Sequence, residues 1–107
     1  MMDKSEAIKI ANRFANAVKS NYDCIEVILF GSYVKGTSHE ESDIDIAVVL
    51  KGYENLLDIQ LELMRLRRKI DSRIEPHPFR LADFDSTNPL VYEIIRHGQR
   101  VDNINVT

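Results

Sequence analysis

Two short runs of this sequence could do chemistry together: Phe30-Gly31-Ser32-Tyr33-Val34-Lys35-Gly36 and Ser42-Asp43-Ile44-Asp45-Ile46. In the first, an apolar segment ends in Gly-Ser, so bare backbone N–H groups and a hydroxyl stand where a phosphate oxygen can bind without a bulky side chain intervening. In the second, Asp43 and Asp45 are two residues apart on a strand-like segment, which projects them from one face while Ile44 and Ile46 turn into the core. Carboxylates so placed lie roughly 6–7 Å apart. At an effective dielectric of ~20 they repel by about 2–3 kcal/mol. A protonated carboxyl, a nearby lysine or a hard divalent cation would offset that repulsion, and Mg²⁺ also supplies chemistry because it bridges to substrate phosphates. On spacing alone, a solvated Asp-x-Asp at the mouth of a strand explains the pair at least as well as a metal site. The Gly-Ser turn beside it shifts the balance toward metal plus phosphate.

These residues need a scaffold, and the hydrophobic pattern supplies one. Residues 4–20 read as an amphipathic helix, with Ile8, Ala11, Ala15 and Val18 at spacings of three and four, Ala7 and Phe14 widening the stripe, and Asp3 and Glu6 as a capping box. Residues 24–30, bounded by Asp23 and Gly31, read as a buried strand in which Cys24 serves as a small hydrophobe. Gly31 to Ser42 is a turn-rich connection with a helical turn around Tyr33 to Lys35, and Asp43 to Leu50 is a strand entering the core from an exposed edge. Residues 54–70 form the longest helical pattern, wide enough to be packed on two sides; its C-terminal Arg65, Arg67, Arg68 and Lys69 favour the negative end of the helix dipole, the alternative being a phosphate- or partner-binding patch. Arg73 to Phe79 is β-like, but Pro76 and Pro78 remove backbone donors and restrict it to an edge or to pairing on one side. Asn88-Pro89 opens a short helix that His97-Gly98 closes with a C-cap glycine, and Arg100 to Val106 is a final, weaker strand.

The chain has 107 residues, 44% hydrophobic and 29% charged, which fits one globular domain over 1–107 with an α+β architecture, a mixed sheet flanked by helices. Fourteen Lys and Arg against 17 Asp and Glu give a net charge of −3, so no global basic field exists for bulk nucleic-acid binding. The longest apolar run, Ile46 to Leu50, is far short of the ~18 residues of a membrane span. An N-terminus without a secretion signal and a single cysteine point to the cytoplasm.

Gly31-Ser32, ten intervening residues, then Asp43-Ile44-Asp45-Ile46 after an apolar strand resembles the signature of the nucleotidyltransferase superfamily, whose best-known fold relative is DNA polymerase beta. The small size resembles the minimal nucleotidyltransferases, often encoded beside a helical HEPN-domain protein to which they are antitoxin. The sharp motif covers residues 30–46 and the element order covers the whole chain.

The resemblance implies a polymerase beta-like fold in which Gly31 and Ser32 hold the nucleoside triphosphate and Asp43 and Asp45 ligate two Mg²⁺ ions. A third acid on a neighbouring strand completes the metal site or helps deprotonate the attacking hydroxyl, and Glu75 matches it by place, although relatives usually carry aspartate. Asp71, at the end of the long helix, is the competing position. Tyr33 stands where relatives often carry arginine, with Lys35 as the residue that compensates. His39, His77 and His97 show no zinc-ligand spacing and are expected to be structural or surface residues, His77 alone being close enough to Glu75 to matter.

The implied activity is Mg²⁺-dependent transfer of a nucleoside monophosphate, AMP from ATP, to a hydroxyl, with release of pyrophosphate. So short a chain has little left for an acceptor pocket, so a second subunit or a HEPN toxin, modified on a tyrosine, is expected to supply it. The alternative is a non-catalytic module of the same fold that binds nucleotide or occludes a partner. An aminoglycoside-type resistance enzyme is disfavoured because no drug-binding region remains.

Overall fold

The computed structural model describes residues 3–39 and 41–101. Helix α1 (Lys4–Asn21) opens with the anticipated capping box: the Asp3 carboxylate accepts the Glu6 N–H at 3.0 Å, and the Glu6 carboxylate accepts the Asp3 N–H at 3.4 Å. Strand β1 (Cys24–Phe30) leads through the single turn α2 (Ser32–Lys35) to β2 (Ile44–Leu50). Helix α3 (Leu56–Leu66), extended by a 3₁₀ turn at Arg67–Lys69, crosses over to β3 (Ile74–Arg80). Helix α4 (Pro89–His97) and the two-residue β4 (Gln99–Arg100) follow. The last expected strand thus starts at Gln99, and its stretch from 102 to 106 lies outside the described residues.

The sheet order is β3-β2-β1-β4, antiparallel except for the parallel β2–β3 pair, so the architecture is the expected mixed sheet with flanking helices. β3 forms one edge, as its prolines require. Pro76 and Pro78 are two apart, so both missing donors point away from β2. That outer edge is covered from α3: Gln60 donates to the Pro76 carbonyl at 2.9 Å and Arg67 to the Ile74 carbonyl at 2.8 Å.

Alternation in the strands separates two faces. One carries Val27, Leu29, Ile44, Ile46, Val48, Leu50 and Ile74 beneath α1 and α3, whose Phe14, Val18, Ile59 and Leu63 complete the main core. The other carries Ile28, Phe30 and Ala47 against Ile94 of α4, with Phe79 and Phe84 at the border. Each aliphatic side chain buried on the first face contributes about 1.5–3 kcal/mol. A one-residue slip of β2 would expose four of them and push Asp45 under the helices, so the main core fixes on which face the carboxylate stands.

Helix α3 buries only Ile59 and Leu63, and leaves Leu56, Leu57 and Leu61 exposed, so its apolar pattern is wider than the surface it packs against; the expected two-sided packing is not found. Gly98 is the C-cap of α4, as expected, its N–H donating to the Ile94 carbonyl at 2.8 Å, but its backbone is extended (φ −75°, ψ 164°) and not left-handed. Its smallness serves close approach instead: a Cβ there would collide with Ile28 Cγ2 and come within 2.5 Å of the Ile94 carbonyl oxygen. Among the described residues no helix is long and apolar enough to cross a membrane.

Candidate active site

The site lies where β1 ends and β2 begins, on the face opposite α1 and α3. Cross-strand pairing sets Phe30 opposite Asp45 on one side and Glu75 opposite Asp45 on the other. Asp45 and Glu75 therefore share a face at paired positions of neighbouring strands, which lie roughly 4.8 Å apart in the hydrogen-bonding direction. Asp43 is exposed, one residue ahead of β2, on the approach to the same face.

Gly31 joins the two motifs. Its backbone (φ 85°, ψ −152°) is one that only glycine adopts without strain, and it turns β1 abruptly into α2. A Cβ at Gly31 would stand 2.5 Å from Asp45 Oδ2 and 3.3 Å from its Cγ. The bare Cα is thus what lets the Gly-Ser turn and the carboxylate occupy adjacent space. The Gly31 carbonyl accepts the Val34 and Lys35 N–H groups at 3.1 Å each, which closes α2, and Ser32 begins that turn.

The second oxygen of Asp45 is also engaged. Nε2 of His77 lies 3.1 Å from Oδ1, and since an ionised carboxylate only accepts, Nε2 is the donor. Sequence reading kept His77 as a structural or surface residue near Glu75 and missed this bond; the alternation Glu75-Pro76-His77, which puts both side chains on one strand face, was the available signal. The imidazole meets the Phe30 ring edge-on at 5.0 Å. Asp45 and His77 keep 27% and 30% of their side-chain surface exposed, so the pair is reachable from solvent.

Other expected residues are placed differently. Tyr33 is buried in the main core, which removes it from any phosphate. Lys35 has its ammonium 2.5 Å from Glu93 Oε2, tying α2 to α4, and this hydrogen bond holds the Glu93 carboxyl below its ordinary pKa. Asp71 accepts the Arg73 N–H, its Nε–H and its Nη2–H at 2.9, 2.9 and 2.7 Å. The guanidinium hydrogen bond keeps the Asp71 carboxyl below the usual range, and this local pairing gives it a structural role at the entry to β3.

Among the described residues no three His, Cys, Asp or Glu side chains form a ready-made cation cage. Mg²⁺ does not require such a cage, since it is usually bound through one or two carboxylates with the remaining positions filled by water and substrate phosphates. Asp43, Asp45 and Glu75 offer the all-oxygen chemistry such a partial site uses, with Asp45 and Glu75 in register across the strand pair.

The family described as "Polymerase beta, Nucleotidyltransferase" matches residues 12–105. The chain belongs to this nucleotidyltransferase family. The match takes in β1, the Gly-Ser turn, the Asp-x-Asp strand and β3, so the motif resemblance and the polymerase beta-like fold agree. A Methanocaldococcus jannaschii protein named "Putative protein adenylyltransferase MJ1305" is 34% identical over 107 residues, spanning 88% of this nucleotidyltransferase and 70% of that relative. A crystal structure of a toxin–antitoxin with AMP-PNP superposes with TM-score 0.65 at 25% identity, covering 85% of this chain and 71% of that one. A variant of the toxin–antitoxin MntA-HpeT superposes with TM-score 0.61 at 25% identity, covering 83% and 68%.

Proposed function

We propose that this nucleotidyltransferase transfers AMP from ATP to a hydroxyl, and that the acceptor is a tyrosine of a HEPN toxin to which the chain is antitoxin in the cytoplasm. The observation that carries the reading is the close approach of Asp45 to the bare Gly31, where a Cβ would stand 2.5 Å from Oδ2, with Glu75 in register across the strand pair. The turn at Gly31 and Ser32 takes the triphosphate, the serine hydroxyl and backbone amides donating to phosphate oxygens. Asp43, Asp45 and Glu75 would hold Mg²⁺, two ions in the full site. When bound, these ions neutralise charge on the triphosphate. Glu75 accepts the proton of the attacking hydroxyl. An oxygen–phosphorus bond forms at the α-phosphorus, the α–β bridge breaks, and pyrophosphate leaves on the far side.

The acceptor pocket comes from a partner. The adenylyltransferase name of one relative and the toxin–antitoxin pairing of two structural neighbours support that part of the reading. Labelled ATP, Mg²⁺ and the co-expressed genomic neighbour form the test. Wild type should place AMP on the neighbour, seen as added intact mass, and Asp43→Ala Asp45→Ala should lower transfer by at least ~100-fold. No transfer by wild type, or equal transfer by the double variant, rejects the proposal.

A second reading, a nucleotide-binding module that occludes its partner without turnover, is favoured by the burial of Tyr33 and the diversion of Lys35 to Glu93, which leave the turn without a committed cation. Mg²⁺-dependent ATP binding with no transfer to any partner would select it.

A further inference from the structure

His77 holds one oxygen of Asp45 while the other faces the Gly31 turn. The register explains how. His77 is paired with Ala47, the next residue along the same face of β2, and not with Asp45. The methyl of Ala47 leaves room above the sheet, so the imidazole leans diagonally back toward Asp45 and rests against Phe30, which flanks Asp45 from β1. Torsion about the last bond of an aspartate is broad, and an untethered carboxylate would sample many orientations. One fixed hydrogen bond on Oδ1 limits that rotation.

We infer that His77 is a positioning residue for Asp45: its Nε2–H fixes Oδ1 and thereby presents Oδ2 to the Gly31–Ser32 turn, where Asp45 would ligate the cation. The inference rests on the reading of Asp45 as a metal ligand. Donors that orient a ligating carboxylate are worth about 10–100-fold in metal affinity. The role requires an N–H at the Nε2 position and does not require an aromatic ring. That separates it from packing, because His77→Phe keeps the ring against Phe30 and removes the donor, whereas His77→Gln keeps a donor and removes the ring.

The test is calorimetric titration of Mn²⁺ into wild type, His77→Phe and His77→Gln, each saturated with a non-hydrolysable ATP analogue, with thermal denaturation to confirm folding. His77→Phe should bind Mn²⁺ about 10-fold or more weakly, and His77→Gln should recover most of that loss. His77→Ala serves in place of His77→Phe if the phenyl ring is not accommodated. Wild-type affinity in the donorless variant, or equal weakening in His77→Gln, overturns the positioning role and leaves the nucleotidyltransferase reading intact. Absence of Mn²⁺ uptake by wild type overturns both.

Discussion

Replacing Gly31 by alanine should damage the site far more than the same change at Gly36, although both glycines have positive φ. Gly36 sits at φ 79°, ψ 18°, an ordinary left-handed cap, and a Cβ there meets nothing within 4 Å. Gly36→Ala therefore carries only the left-handed penalty of about 1–2 kcal/mol. Gly31 combines φ 85° and ψ −152°, where strain alone is about 1–3 kcal/mol, with a methyl 2.5 Å from Asp45 Oδ2. To restore ordinary contact at 3.4 Å, the carboxylate or the turn must retreat by the difference, 0.9 Å. Displacement of about 1 Å in a positioned group can lower turnover ~100-fold. Chemical denaturation should show Gly31→Ala losing about 1 kcal/mol or more beyond Gly36→Ala. AMP transfer to the partner, with Mn²⁺ affinity measured beside it, should fall ~100-fold for Gly31→Ala and less than about threefold for Gly36→Ala. Equal stability loss and equal activity in the two variants would refute the claim that the bare Cα keeps the phosphate turn and Asp45 together.

Gly98→Ala should destabilise the protein by about 1–3 kcal/mol, since the added methyl overpacks against Ile28 and the Ile94 carbonyl, yet leave Mn²⁺ affinity of the folded fraction unchanged; urea denaturation and calorimetry read the two effects separately. Asp71→Asn tests the ion pair with Arg73 through pH. The folded carboxyl is held below its unfolded value, so its contribution is present above the unfolded pKa and is lost as pH falls through the folded one. Because Arg73 is 45% exposed, screening limits the effect to about 1 kcal/mol or less: the variant should be weaker than wild type by that amount near pH 7, and the difference should shrink as pH falls through the folded carboxyl's depressed range, read from denaturation midpoints.

Much of the fold and part of the candidate site were legible because they rest on local pattern. Apolar runs ending at Phe30 and Leu50, the capping box at Asp3 and Glu6, and the prolines at 76 and 78 each act through their own backbone or their own face, and the structure places β1, β2, the α1 cap and the β3 edge accordingly. The exposed leucines of α3 show the limit of such patterns. Apolar periodicity says which side of a helix avoids water, not how much protein is there to cover it.

Sequence alone determined the residue types on offer, a bare Gly-Ser turn and, after ten intervening residues, an Asp-x-Asp pair, and the alternation that sets Asp45, Glu75 and His77 on outward faces of their strands. Tertiary structure decided which of them meet. Parallel pairing after the α3 crossover put Glu75 beside Asp45. A small partner at Ala47 let His77 lean to Asp45, and packing of α2 on α4 gave Lys35 to Glu93. Those contacts join residues 30 to 58 positions apart, and their geometry depends on register and helix docking, which are set by the whole core and not by any local run.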